Sequence, residues 1–340
     1  MSGEVTWSEL KSQPDAWKAL LARLQSGALK LPIDLDDFDE LVLLGSGTSY
    51  YLALALADWM RRRGRNARAV PSCEVLLDPW ETRESNARRL AIGLSRSGQS
   101  SELLLAEKRL RAVGFATLGV SCTDGSDLLV NSQHGLLVSE GYEDGLVMLR
   151  SFSSMLLAVQ WLSGNAADRA ALAALPDAGA AFLASHADAL TAAASSRAFD
   201  RFVFLASGPD HPLALEAALK IQEMSISTSE AYHSLDYRHG PKACADEKTA
   251  VVLFALSDRE HGLALARDLK DLGAAVIVVG QDAIAYDGVA DLAVAGGGSF
   301  SAGQAAALSI LPVQLFAFAT AMRLGREPNA PANLSKVVVF

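Results

Sequence analysis

Four serines and a glycine crowd the segment Ser95-Arg96-Ser97-Gly98-Gln99-Ser100-Ser101-Glu102. The apolar stretch AIGL precedes it and the helical pattern ELLLAEKRL follows, so a strand-to-helix turn is predicted here. The unpaired amides in a helix's first turn favour an anion. Serine hydroxyls add neutral donors, and Gly98 allows close approach of the backbone. The same composition also suits a helix simply capped by Ser100 or Ser101. An earlier turn, Gly45-Ser46-Gly47-Thr48-Ser49, follows the same logic. It does not meet the dinucleotide fingerprint, because Tyr50 stands at the third glycine position and no acidic residue ends the next strand, ARAV.

Lys220 and Glu223 stand three apart in a helical pattern and so face the same way. Their plain reading is a surface ion pair worth about 0–1 kcal/mol. His239 precedes Gly240-Pro241, a turn signal. The other histidines (His134, His186, His211, His233 and His261) have no comparable context and no metal-ligand spacing, so no catalytic metal is predicted. Lys336 lies in the C-terminal stretch, where a lysine is ordinarily a solvated tail charge. Cys73, Cys122 and Cys244 are scattered and read as reduced structural thiols. Trp7, Trp17, Trp59, Trp80 and Trp161 read as core or interface packing.

The elements that must position these residues repeat along the 340-residue chain. LVLLGSGTSYYLALALA (41–57) and FVFLASGPDHPLALEAA (202–218) share a strand–turn–helix pattern, with Gly47 and Gly208 in matching places. A second pair, 91–120 and 252–279, matches Ser95 to Ser257 and Gly114 to Gly273. The common offset of about 160 residues points to duplication of a whole domain. Alternating apolar strands and amphipathic helices imply βαβ units with parallel, doubly covered sheets, which bind ligands beyond the carboxyl ends of their strands. The resulting division is a helical leader (1–30), a first α/β domain (31–165), an Ala-rich helical connector (166–198), a second α/β domain (199–324) and a tail (325–340).

Half of the residues are hydrophobic and the net charge is −9, with no basic stretch, so a nucleic-acid groove is not predicted. The N-terminus lacks a basic and an apolar region of the secretory kind. The most apolar window, Ala305–Met322, is read as a buried helix rather than a membrane span, because it carries Ser309, Pro312 and Gln314. Together these features suggest a cytoplasmic protein.

The two turns in this order within a duplicated chain resemble the SIS (sugar isomerase) family, with GSGTS, SRSGQSSE, EDGLVMLRSFSSM, LEAALKIQEMS, EAYHSLDYRHGPKA and NLSKVV carrying the likeness. Within it the chain is similar to the isomerase half of glucosamine-6-phosphate synthase and to the branch of tagatose-6-phosphate isomerases and aminosugar-phosphate deaminases. The resemblance implies two tandem flavodoxin-like, three-layer αβα domains, no cofactor, and a hexose or hexosamine 6-phosphate as substrate. It implies that Thr48 and Ser49 line the sugar site and that Ser95, Arg96, Ser97 and Ser100 hold the phosphate. Glu143 would contact the sugar or its amine, and Glu223 would move a proton between C1 and C2, with Lys220 one turn before it. His239 would assist ring opening, reaching a neighbouring subunit's site in a homodimer, and Lys336 in the tail would meet the open-chain carbonyl.

Three departures from the synthase favour the isomerase or deaminase branch: no glutaminase segment precedes the sequence, LVML replaces small residues, a hydroxyl and a lysine before RSFSSM, and the turn Ser207–Asp210 differs. The alternatives are a non-catalytic sugar-phosphate-binding regulator and a deglycase of a phosphorylated sugar–amine conjugate. The turn at Ser257–Arg259 lacks the serine cluster and glycine of its counterpart and is read as structural.

Overall fold

The computed structural model describes residues 2–78, 86–301 and 303–338, so Trp80 and the last residues of the tail lie outside the description. The chain folds into two compact units. The first-repeat unit holds Asp15–Asp144, Met148–Ala173 and the tail from Ser335; the second-repeat unit holds the residues up to Pro14, Gly145–Val147 and Ala174–Leu334.

The first-repeat unit is built on β1 (Glu40–Gly45), β2 (Ala67–Pro71), β3 (Arg89–Ser95), β4 (Ala116–Ser121) and β5 (His134–Leu137). They form one sheet in the order β2-β1-β3-β4-β5, parallel throughout. The second-repeat unit is built on β6 (Arg201–Ala206), β7 (Ser229–His233), β8 (Thr249–Phe254), β9 (Ala275–Val279) and β10 (Leu292–Val294). Read from its β7 edge, that sheet runs β7-β6-β8-β9-β10, again parallel. Both orders are the flavodoxin-like winding, so the duplication seen in the sequence extends to topology.

Central strands are apolar at nearly every position because helices cover both faces. All of β3 is buried, and so is all of β8. Val42, Leu44 and Ala91 meet Leu103, Ala106 and Leu110 of the helix Ser101–Ala112 in one core; Val203, Leu205 and Val251 meet Leu265 and Leu269 in the other. Truncating a buried leucine such as Leu110 would cost about 2–5 kcal/mol. The edge strands β5 and β10 are short and only partly buried.

The Ala-rich stretch is helical, divided between Ala166–Leu172 and Leu175–Ser195. Residues 306–323 are long and apolar enough to cross a membrane, but 78% of them are buried in the fold. The helix Leu311–Arg323 packs on Leu175–Ser195. Trp17 and Trp59 are buried, their indole N–H groups donating to Ser153 Oγ (2.9 Å) and Ser163 Oγ (3.1 Å).

Each sheet reverses its winding once, between β1 and β3 and between β6 and β8. A crevice opens at such a point beyond the carboxyl ends of the strands. The turns Gly45–Ser49 and Ser95–Ser101 follow β1 and β3 and so border the first of these points.

Candidate active site

β3 ends at Ser95, and the helix Ser101–Ala112 begins six residues later. The intervening turn is held by its own side chains. Ser95 Oγ accepts the Gly98 amide at 3.0 Å, and Ser97 Oγ accepts the Gln99 amide at 3.2 Å. The Arg96 carbonyl accepts Ser121 Oγ and Thr123 Oγ1, both at 3.1 Å, which ties the turn to the end of β4. Gly98 has φ +64°, and a Cβ there would stand 2.3 Å from Ser126 Oγ, so both conformation and space demand glycine. Ser100 occupies the N-cap, yet its side chain makes no cap hydrogen bond. Simple capping therefore does not account for the serine there.

The turn after β1 approaches its helix equally closely. A Cβ at Gly45 would lie 2.4 Å from the Ser49 backbone. Thr48 and Ser49 open the helix Thr48–Arg61 and are buried. Ser46 Oγ donates to Glu102 Oε2 at 3.0 Å, which joins the two turns. Ser49 Oγ lies 3.9 Å from Met148 Sδ.

Glu143 is fully buried in the same unit. Its Oε1 accepts the Leu149 amide at 2.7 Å and its Oε2 accepts Ser151 Oγ at 2.6 Å, which shapes the entry to the helix Arg150–Ser163. Arg96 Nη1 lies 3.7 Å from Oε2, so two residues predicted to serve one substrate are paired. Lys336 is an exposed tail residue, yet its ammonium is anchored: Nζ donates to the carbonyls of Glu143 (2.8 Å) and Asp144 (3.0 Å). The first-repeat unit thus contains Thr48, Ser49, Ser95, Arg96, Ser97, Ser100, Glu143 and Lys336, and it joins Arg96, Glu143 and Lys336 directly.

The second-repeat unit carries Lys220, Glu223 and His239. Lys220 and Glu223 lie on the helix His211–Ser225, and their pairing is not the surface contact that spacing alone suggests. Lys220 is completely buried, ion-paired to Glu223 and 3.3 Å from Glu216 Oε1, which is also completely buried. Glu223 alone of the three reaches solvent, with 21% of its side chain exposed. Burial pushes the Lys220 pKa down, but the Glu216 and Glu223 carboxylates outweigh it and hold the group above the usual lysine value. Lys220 is therefore a fixed cation that orients Glu223, rather than a free amine. Glu216 is the residue that sequence reasoning missed; the signal lay in the i, i+4, i+7 spacing of LEAALKIQE.

His239 closes the short turn Asp236–Arg238 and is exposed. A second histidine feature was not legible. His211, the first residue of its helix, stacks on His233 at the end of β7, with ring centroids 3.6 Å apart. Burial, with help from His233, lowers the His211 pKa to about 4.

The turn after β8 is built differently from its counterpart after β3. Asp258 accepts the His261 amide at 3.1 Å and caps the next helix. The Tyr286 hydroxyl accepts the Leu256 amide at 3.2 Å, and a Cβ on Gly262 would stand 1.9 Å from it.

Residues 35–163 and 197–321 each match the SIS domain. A glutamine–fructose-6-phosphate aminotransferase (isomerizing) of Bordetella pertussis is 28% identical over 89% of this chain, and the match covers 52% of that protein. The chain thus spans about half the length of such relatives. A Streptomyces coelicolor protein, provisionally named D-galactosamine-6-phosphate deaminase, is 28% identical over 96% of this chain and 91% of its own. Among solved structures, glucosamine-6-phosphate deaminase from Thermotoga maritima superposes with a TM-score of 0.83 at 28% identity, covering 99% of this chain and 100% of that one.

Proposed function

The chain belongs to the SIS domain family, and on that premise we propose that it is an enzyme acting on a hexose or hexosamine 6-phosphate, moving a proton between C1 and C2. The observation that carries this reading is the buried Glu216–Lys220–Glu223 cluster. Burying an ammonium with two carboxylates adds little to stability over an apolar core, so such a cluster is better suited to holding a reactive group in place. A protein that only binds a sugar phosphate needs the serine turn and no such device.

The assigned roles follow from the chemistry. The turn Ser95–Ser101 holds the phosphate, which fixes the sugar carbons and removes orientational entropy from the barrier. Glu223, ionised and oriented by Lys220, takes the proton from the carbon next to the carbonyl and returns it to the carbonyl carbon through an enediol or enamine. With oxygen at C2 the result is aldose–ketose exchange. With nitrogen at C2 the resulting imine takes up one water and releases one ammonia, leaving the ketose 6-phosphate. His239 transfers the proton for ring opening, its exposed imidazole suiting a role in a neighbouring subunit's site within a homodimer. Lys336 meets the open-chain carbonyl once it leaves the Glu143 and Asp144 carbonyls. Thr48, Ser49 and Glu143 line the sugar end.

The test is ammonia release, with parallel sugar-phosphate analysis, on glucosamine 6-phosphate and galactosamine 6-phosphate. Ammonia abolished by Glu223→Gln establishes the deaminase. Exchange of ketose and aldose 6-phosphates without ammonia establishes the isomerase. Neither reaction, with tight sugar-phosphate binding, refutes proton transfer on a hexose or hexosamine 6-phosphate, in favour of a regulator or of a deglycase acting on a conjugate.

A further inference from the structure

The donors assigned to the phosphate are already in contact with the chain's own C-terminal tail. Within the first-repeat unit, Arg96 Nη2 donates to the Lys336 carbonyl at 3.3 Å, and the Ser101 amide donates to the Val338 carbonyl at 3.3 Å. Ser101 is the first residue of its helix, so that amide is one of those expected to face an anion. The Lys336 side chain fastens the same stretch from the other side, on the carbonyls of Glu143 and Asp144. Three points of attachment therefore lay a short strand of backbone across the anion turn.

The carbonyl oxygens are neutral acceptors, and both contacts are long for N–H···O bonds. A phosphate offers charged oxygens to the same donors and forms shorter, stronger bonds. One amide hydrogen cannot satisfy both partners at full strength. We propose that the tail is a built-in competitor for the phosphate turn: it occupies the Arg96 and Ser101 donors, and a phosphate must displace it to bind. This inference rests on the reading of that turn as a phosphate site. Displacement would also release the Lys336 backbone from Arg96, so that arrival of phosphate and freeing of the tail become one event.

The arithmetic is that of a site only partly available. If the docked tail is held by the net worth of two weak hydrogen bonds, only a minority of molecules present a free turn, and the apparent affinity falls by that fraction. Removing the tail should tighten phosphate binding about five- to tenfold.

The experiment is calorimetric titration of inorganic phosphate into the full chain, into a chain ending at Leu334, and into Lys336→Ala. Lys336→Ala removes the side-chain anchor while leaving the backbone acceptors in place, so it guards against misfolding of the truncated chain. Tighter phosphate binding in both variants, with the larger gain on truncation, supports the competition. Equal or weaker binding in the variants overturns it and makes the tail a partner of the anion. Phosphate binding by none of the three proteins, with native melting curves, refutes the phosphate-turn reading and the inference with it.

Discussion

Lys220→Met tests the buried cluster most directly. In the native protein one ammonium, fully buried, faces one fully buried carboxylate and one that is 21% exposed. Methionine keeps the volume and removes the ammonium that Glu216 and Glu223 share. Breaking a buried pair from one side costs about 3–5 kcal/mol. For a domain of this size that loss lowers the melting temperature by roughly 6–20 °C. The pH dependence has a definite sign. In the wild type the Lys220 pKa is raised in the fold, so its contribution is complete below the unfolded lysine value of about 10.4 and is lost as pH rises through the folded value. In the variant Glu216 and Glu223 lose the neighbouring ammonium, which disfavours their ionised forms in the fold, so the cost of the substitution is least at acid pH and grows as the unfolded carboxylates ionise above about 4.3. Thermal melts of both proteins from pH 4.5 to 8.5 should therefore diverge with rising pH. Adding Glu216→Gln to Lys220→Met should recover part of the loss. A variant within 1 kcal/mol of wild type at pH 8, with a gap that does not change with pH, would show that the cluster is not electrostatically coupled as described.

Gly98→Ala places a Cβ 2.3 Å from Ser126 Oγ at φ +64°, so sugar-phosphate affinity measured by titration should fall at least about tenfold; unchanged affinity would remove this turn from the site. His239→Ala and Lys336→Ala, each inactive alone, should regain activity when mixed and allowed to exchange subunits; no recovery, with exchange confirmed by mass, would place both residues in one subunit's site. Burial and His233 hold His211 down at about 4, below its unfolded value of about 6.5, so its contribution is present above pH 6.5 and is lost as pH falls through 4. Denaturant melts of His211→Phe should show a flatter acid limb than wild type, and an identical limb would exclude His211 as its source.

That both sheets are parallel was legible because strands covered on two faces must be largely apolar, and β1, β3, β4, β6, β8 and β9 are, whereas the flavodoxin-like winding came only from the family resemblance. The edge strands β5, β7 and β10 were not. His134-Gly-Leu-Leu is buried only at Leu136 and Ser229-Glu-Ala-Tyr-His only at Ser229, so neither run carries a period-two apolar pattern in the sequence. The anion turn was legible as a composition but not as a mechanism. That Ser95 and Ser97 stabilise the turn itself, while Ser100 makes no cap bond, depends on local geometry. The Lys220–Glu223 pair was legible as a spacing and misjudged as an environment, because periodicity gives the face of a helix and says nothing of how dry that face becomes. Nor does any local signal reveal the His211–His233 stack, which joins a helix start to a strand end 22 positions along the chain.

The repeats explain why a duplicated fold offers unlike turns at equivalent points. After β3 the backbone needs glycine at position 98, and the space beside it is bounded by small hydroxyl side chains, Ser121 and Ser126. After β8 the equivalent region is taken by the Tyr286 ring, whose hydroxyl accepts the Leu256 amide, and by Asp258, whose carboxylate already satisfies the helix start. A carboxylate that itself accepts a first-turn amide, as Asp258 does, takes a donor that phosphate would use, whereas Glu102 in the first turn of the helix after β3 is bonded to Ser46 Oγ instead. Substituting Asp258 by serine would remove that charge without opening the space filled by Tyr286. Conversion of the second turn into an anion site therefore needs changes at both positions, and divergence after duplication could relax one repeat while the other kept the serine turn.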